Sequence, residues 1–259
     1  MCKWFVAVTL VIVSAWSRPA SAQIVNVQGQ LAKPPATDGA RAQLELALNW
    51  REGNNPIFEG AAAGAVLVRE GRGLYLLIAR GEYGESRGVT LARKTFEHLR
   101  ARVSIDGPWK WEAFLQHEYD AFRRLSVRGV AGTGPAYQIV DEKTVTMLAG
   151  AAVMAEYEAL DDRAGTIDAG ETSLVARASL YVTGTESIGE GVSIVETVYV
   201  QPRLDEPGDV RLLGELAVTS KLSKRVALTD GLTVAYDRTP PDGIKTYDTQ
   251  LKVGVIVTF

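Results

Sequence analysis

The sequence predicts an all-β fold: a transmembrane antiparallel up-and-down β-barrel of about twelve strands, with ten or fourteen as alternatives. Three observations carry that expectation. The final stretch, IKTYDTQLKVGVIVTF from Ile244 to Phe259, alternates with a period of two. Tyr247, Thr249, Leu251, Val253, Val255, Val257 and Phe259 form one face; Asp248, Gln250, Lys252, Gly254 and Thr258 form the other, with Ile256 among them. The chain before it falls into segments of similar length separated by Gly, Pro, Asp and Asn clusters, which is turn chemistry. The first residues read as an export signal.

Met1 to Ala22 has the parts of a secretory leader: Lys3, an apolar run from Trp4 to Trp16, then SRPASA. Ala20-Ser21-Ala22 is an A-x-A cleavage site, which makes Gln23 the first mature residue. A membrane-spanning helix needs about 20 apolar residues, and this run breaks earlier, at Ser17-Arg18-Pro19. Cys2 is the single cysteine and leaves with the leader, so neither a disulfide nor a thiolate-bound metal is expected.

The formal net charge is −3, and losing Lys3 and Arg18 makes the remainder about two units more acidic, which argues against nucleic acid as a partner. Mean hydropathy is +0.01. Membrane barrels share that balance, because lipid-facing and lumen-facing residues alternate and average out.

In order, residues 23–40 read as a flexible periplasmic lead-in, and residues 41–259 as the barrel. The expected strands are Ala42–Arg51, Ile57–Arg69, Leu74–Tyr83, Thr95–Ile105, Trp109–Phe122, Val127–Ile139, Val145–Tyr157, Leu174–Thr183, Val192–Gln201, Val210–Leu222, Val226–Asp237 and the terminal stretch. A longer charged loop precedes Thr95, and the longest loop is DDRAGTIDAGETS. An even strand count puts both ends in the periplasm and this long loop outside the cell. Aromatics near strand ends, among them Trp50, Tyr83, Trp109, Trp111 and Tyr119, match the interfacial girdles of such proteins.

With the apolar face toward lipid, the other face lines the lumen. Its candidate residues are Arg80, Glu82, His98, Arg100, Arg102, Glu112, Glu118, Asp120, Arg128, Arg211, Glu215 and Lys252. Buried charges must be paired or wet. Arg100 and Arg102 opposite Glu112, Glu118 and Asp120 therefore imply either a cross-strand lattice that holds the wall or a constriction that sorts solutes. Leu251, Val253, Val255, Val257 and the terminal Phe259 are the candidate assembly signal, and loss of Phe259 is expected to block assembly.

No catalytic, cofactor or metal site is expected. The two histidines are His98 on the inward face and His117 on the outward face. A wall-borne lipid hydrolase would need a serine beside His117, and positions 115–121 hold none. GTGP at Gly132–Pro135 and GEG at Gly189–Gly191 open no helix, so they are bends or close packing rather than phosphate loops.

WKWEAFLQHEYDAFRRLSVRGVAGTGPAY from Trp109, TVYVQPRLDEPGDVRLLGELAV from Thr197 and YDRTPPDGIKTYDTQLKVG from Tyr236 resemble an uncharacterised bacterial family of salt-induced outer-membrane proteins, domain of unknown function 481. The most specific part is E-x-F-x-Q-x-E-Y-x-x-F-R-R-L, running from Glu112 to Leu125. The resemblance implies a bacterial outer-membrane barrel, exported by a Sec-type route and inserted by the barrel assembly machinery. It supplies no activity and no catalytic residue. The functions it leaves open are a small-solute or ion pore and a structural envelope protein linked to salt or osmotic stress. A lipid-modifying outer-membrane enzyme and a soluble periplasmic ligand-binding β-barrel stand as the alternatives.

Overall fold

Alternating sequence becomes a single curled sheet in the computed structural model, which describes residues 9–12, 26–31, 34–54, 56–223 and 226–258. Its strands are β1 (Thr9–Ile12), β2 (Gly39–Arg51), β3 (Ile57–Glu70), β4 (Gly73–Ser86), β5 (Val89–Ser104), β6 (Trp109–Asp120), β7 (Leu125–Asp141), β8 (Val145–Leu160), β9 (Thr172–Ile188), β10 (Val192–Pro202), β11 (Val210–Lys221), β12 (Val226–Asp237) and β13 (Tyr247–Thr258). A short helix, α1 (Gln28–Leu31), precedes β2, and a 3₁₀ turn at Ala121–Arg123 joins β6 to β7. From β2 to β13 each strand pairs antiparallel with the next in sequence.

The expected barrel is corrected at the seam. β2 and β13, the ends of this sheet, are not paired with each other. β1 stands between them, antiparallel to β13 (Thr9 opposite Thr258) and parallel to β2 (Leu10 opposite Leu44). The circuit of strands is completed only through β1, four residues that the sequence assigns to the leader. The twelve strands from β2 to β13 are therefore an antiparallel sheet and not an up-and-down barrel closed on its own first and last strands. The cause is local: β1 occupies the hydrogen-bonding edges that direct closure would need.

The curl puts polar groups inside. On β5, His98, Arg100 and Arg102 are buried, while Leu99 and Val103 at the alternate positions are exposed. On β6, Glu112, Phe114 and Glu118 are buried, and Trp111 and Leu115 are exposed. The outer face also exposes Leu44, Leu46, Leu48, Trp50, Leu77, Leu180, Val198, Leu251 and Val253. A water-soluble fold has the reverse polarity. The strands are 11 to 17 residues long from β2 onward, far beyond the 5–6 typical of globular sheets.

Two sequence expectations change here. The longer charged loop before Thr95 is absorbed into β5. Arg87 and Gly88 alone make the turn, with φ of 51° and 76°, the two consecutive positive values that a type I′ hairpin demands. The segment read as a flexible lead-in is partly packed inside the wall. Val27 and Leu31 join a cluster with Leu67, Leu74, Leu76, Ile78 and Phe96. The leader before Asn26 (β1 apart) and the terminal Phe259 lie outside the described residues, as does the Val257 side chain.

Small residues let the interior fill. A Cβ on Gly150 would lie 2.2 Å from the Tyr181 ring, and one on Gly132 would lie 2.4 Å from the Phe114 ring. A Cβ on Gly134 would meet the Ala151 carbonyl at 2.1 Å. GTGP is thus a close-packing device, one of the two readings its sequence allows.

Candidate functional site inside the strand wall

Strand pairing places the inward charges in two layers. In the lower layer, Glu112 accepts from Arg102 Nε at 2.5 Å and from Arg100 Nη1 at 2.9 Å. Arg102 lies directly opposite Glu112 in the β5–β6 register, so the pair is set by the backbone. Tyr181 reaches across from β9 and donates its hydroxyl to Glu112 Oε2 at 2.8 Å. Arg102 Nη2 donates to Gln28 Oε1 at 2.6 Å, and Gln28 Nε2 donates to Tyr199 OH at 3.1 Å. Arg100 also lies over the Phe114 ring, 4.7 Å from its centre. His98 stacks between Phe96 and Phe114, with ring centres 6.1 Å away on either side.

The upper layer is a chain of alternating charge across six strands, β6 to β9, β11 and β12. Arg128 on β7 touches Glu118 at 3.3 Å, Glu156 at 3.5 Å and Glu158 at 2.7 Å. Glu156 also accepts from Arg177 on β9 at 3.1 Å and from Arg211 on β11 at 2.6 Å. Arg211 continues to Asp237 at 3.2 Å, and Arg177 to Asp209 at 2.9 Å. Glu118, Glu156, Glu158 and Asp209 each meet more than one arginine. Such sharing is how buried ions recover the hydration they lose. Between the layers lies a cavity of about 20 Å³ lined by His98, Gln116, Arg128, Ser179 and Gln201, about the space of one water.

Around β2–β4 and β11–β13 the interior is more open. Arg80 is exposed although it points inward, with its guanidinium 5.8 Å from the Phe96 ring centre. Glu82 pairs with Lys94 at 3.0 Å, Lys252 is exposed, and Glu215 is half-buried beside Asn26. Below the lower layer, a cavity of about 360 Å³ is lined by Gln28, Arg72, Arg102, Lys110, Asp141 and Thr183 among others.

The residues named as lumen candidates share the inward parity of their strands, but the lattice differs from the one expected. Arg100 and Arg102 share Glu112 alone. Glu118 turns to Arg128, with Arg123 3.6 Å away. Asp120 is a cap, accepting from the backbone N–H of Phe122 at 2.9 Å and of Arg123 at 3.2 Å. Sequence reasoning missed Gln28, Tyr181 and Tyr199, the groups that join opposite walls. The signal available was an aromatic on the inward parity of β9 and β10.

A third cluster pins the loops at the upper end. Arg124, with φ of 62° and no solvent exposure, donates to Asp161 at 2.9 Å, to the Asp242 carbonyl at 3.1 Å and to Asp168. Asp168 also accepts from the Asp242 N–H at 2.8 Å. One arginine thus ties the corner after β6 to the β8–β9 and β12–β13 loops. Burial pushes the Asp168 carboxyl up, but the Asp242 N–H and the Arg124 guanidinium outweigh it and hold the group below the ordinary carboxylate range. A depressed carboxyl pKa stabilises above its unfolded value and stops doing so as pH falls through the folded one. Loop amide protection, read by hydrogen exchange, is therefore expected to persist at neutral pH and to fade only below about pH 4. In Asp168→Asn it should be weak at every pH. Wild-type protection lost already at pH 6 would contradict the assignment.

On the outer face, His117 is held by Glu97 at 2.6 Å. Among the described residues no serine takes that place, so the nucleophile–base pair of a wall-borne hydrolase is not assembled. The two imidazoles point to opposite faces of the sheet and cannot share a metal.

A search of curated protein sequences returns no match. Among solved structures, the chain is similar to the NanC porin at 9% identity, over 83% of this chain and 100% of that one, with a TM-score of 0.46. A bacterial polysaccharide outer membrane secretin matches at 11% identity, over 85% and 80%, with a TM-score of 0.45. The translocator domain of the autotransporter NalP from Neisseria meningitidis matches at 13% identity, over 85% and 87%, with a TM-score of 0.39. The family model for DUF481, a protein of unknown function, matches residues 44–259, reaching well before Trp109, the first residue of the motif resemblance. The chain belongs to the DUF481 family.

Proposed function

We propose that this protein resides in the bacterial outer membrane, with its sheet facing lipid, and that its interior is a gated passage for small ions and polar solutes. The observation that carries this reading is polarity. Ionised side chains fill the inside, and leucine, valine and aromatic side chains cover the outside. That arrangement is costly in water and favourable in a bilayer. In this reading Met1–Ala22 is removed on export, the longer loops face outward from the cell, and lipid and the assembly machinery are the partners met on insertion.

Support for a gate comes from residues 26–31. Val27 and Leu31 dock on the inner wall, Gln28 bridges Arg102 and Tyr199, and Asn26 reaches Glu215. The segment crosses the lower end, and Arg80, Glu82, Glu215 and Lys252 lie on the inner face away from the two charged layers. A resting protein that conducts rarely is expected. The test is membrane fractionation followed by planar-bilayer recording of the refolded chain. Retention in the outer membrane after alkaline washing, with infrequent small steps, is the expected result. Release by the wash would refute the membrane reading, and large permanently open steps would refute the gate.

A further inference from the structure

On the outer face a glutamate and a histidine meet where apolar residues surround them. Glu97 on β5 and His117 on β6 are directly opposite in register, and Glu97 Oε2 lies 2.6 Å from His117 Nδ1. Both are about half exposed, at 46% and 50% of their side-chain surfaces. Among the described residues, neither Glu97 Oε1 nor His117 Nε2 has a further hydrogen-bond partner. Charge on a lipid-facing wall costs energy, so a pair left half-finished there calls for a ligand that completes it.

The surroundings supply the rest of a site. Ala79 is opposite Glu97 on one side, and Gly129 is opposite His117 on the other. A Cβ on Gly129 would meet nothing within 4 Å, so its smallness leaves open space rather than relieving a clash. One step along the strands, Leu99, Leu115, Ala131 and Ala155 lie side by side. The resulting groove has a volume of about 500 Å³, with Leu77, Tyr157 and Leu174 on its rim. It is apolar along its length and charged at one end.

We infer that this groove holds one acyl chain of a zwitterionic phosphoethanolamine lipid, with the ammonium against Glu97 and the phosphate against His117. With Nδ1–H given to Glu97, His117 offers Nε2–H to a phosphate as the imidazolium, and the pair then presents an anion and a cation to a headgroup that carries both signs. A purely anionic headgroup would meet the Glu97 charge, and a trimethylated ammonium has no N–H to give to Oε1. The level fits as well. His117 is two residues from Tyr119, in the aromatic zone near the upper strand ends, where headgroups meet an outer wall. This inference rests on the membrane reading above.

The test is native mass spectrometry of the mature protein from nanodiscs containing equal phosphatidylethanolamine, phosphatidylglycerol and phosphatidylcholine with the same chains. Retained phosphatidylethanolamine should exceed each of the others by about tenfold, the ratio one charge-assisted hydrogen bond supplies. A Glu97→Leu/His117→Leu double variant keeps the outer face apolar and should lose the preference. Ala131→Leu fills the groove, leaves the pair intact and should lower retention of the lipid. Soluble phosphoethanolamine, which has no chain, should not displace it. Unselective retention by the wild type, or a preference surviving the double variant, would overturn the inference. Insertion into nanodiscs is read separately, so failure to insert indicts the membrane reading instead.

Discussion

Replacing Glu112 with alanine is expected to destabilise the protein by about 3–5 kcal/mol, the usual cost of removing one partner from a buried ion cluster. Glu112 is 3% exposed and is the only carboxylate within ion-pair distance of Arg100 and Arg102 among the described residues. Without it, two guanidiniums and the Tyr181 hydroxyl lose the one carboxylate they share inside the wall. The loss is larger than for Glu158→Ala, because Arg128 and Arg211 would each keep other carboxylates. Urea unfolding in detergent, followed by tryptophan fluorescence, measures the difference. A companion variant with Glu112→Leu, Arg100→Met and Arg102→Leu removes the ions together and should recover most of the stability. A change below about 1 kcal/mol for the alanine variant would show that water already reaches the cluster.

The second large effect concerns the segment at the lower end. Gln28→Ala with Leu31→Asp is expected to turn a nearly silent protein into one with frequent conductance steps. Leu31 is 3% exposed against Leu67, Leu74 and Ile78, and a carboxylate there would cost several kcal/mol unless the segment leaves. About 3 kcal/mol already shifts a two-state equilibrium by more than a hundredfold. The segment pays that by moving out, because among the described residues no strand pairing holds it; Arg41 donates to the Gln30 carbonyl at 3.0 Å. Adding Arg80→Glu should then shift selectivity toward cations, since Arg80 is a cation on the inner face of β4. Unchanged conductance in the double variant would mean that the charged layers, and not residues 26–31, close the interior.

Most strands were legible because alternation is local: β12 runs from Val226 to Asp237, the span its apolar pattern gives. Facing was legible for the same reason, since a period of two assigns every residue to a side once one is known. Pairing was not. Arg100, Arg102 and Glu112 share a side, but which carboxylate they meet depends on register, and register depends on turn length. The two-residue turn at Arg87–Gly88 extends β5 to Val89, where the sequence suggested a loop. Contacts across the interior were further from reach. Gln28 meets Tyr199 at a separation of 171 residues, which no local pattern encodes. Closure failed for a related reason, because a strand pattern says nothing about which edges meet.

The seam between β2 and β13 has a consequence of its own. β1 pairs with four residues of β13 and two of β2, although those strands are 12 and 13 residues long. Where a leader is cut away, two long rows of amide and carbonyl groups lose the segment that paired with them. Such rows are templates that accept an incoming strand by backbone pairing alone, whatever its side chains. The perimeter of the wall is then a variable, fixed by whichever segment fills the slot, and the width of the interior varies with it.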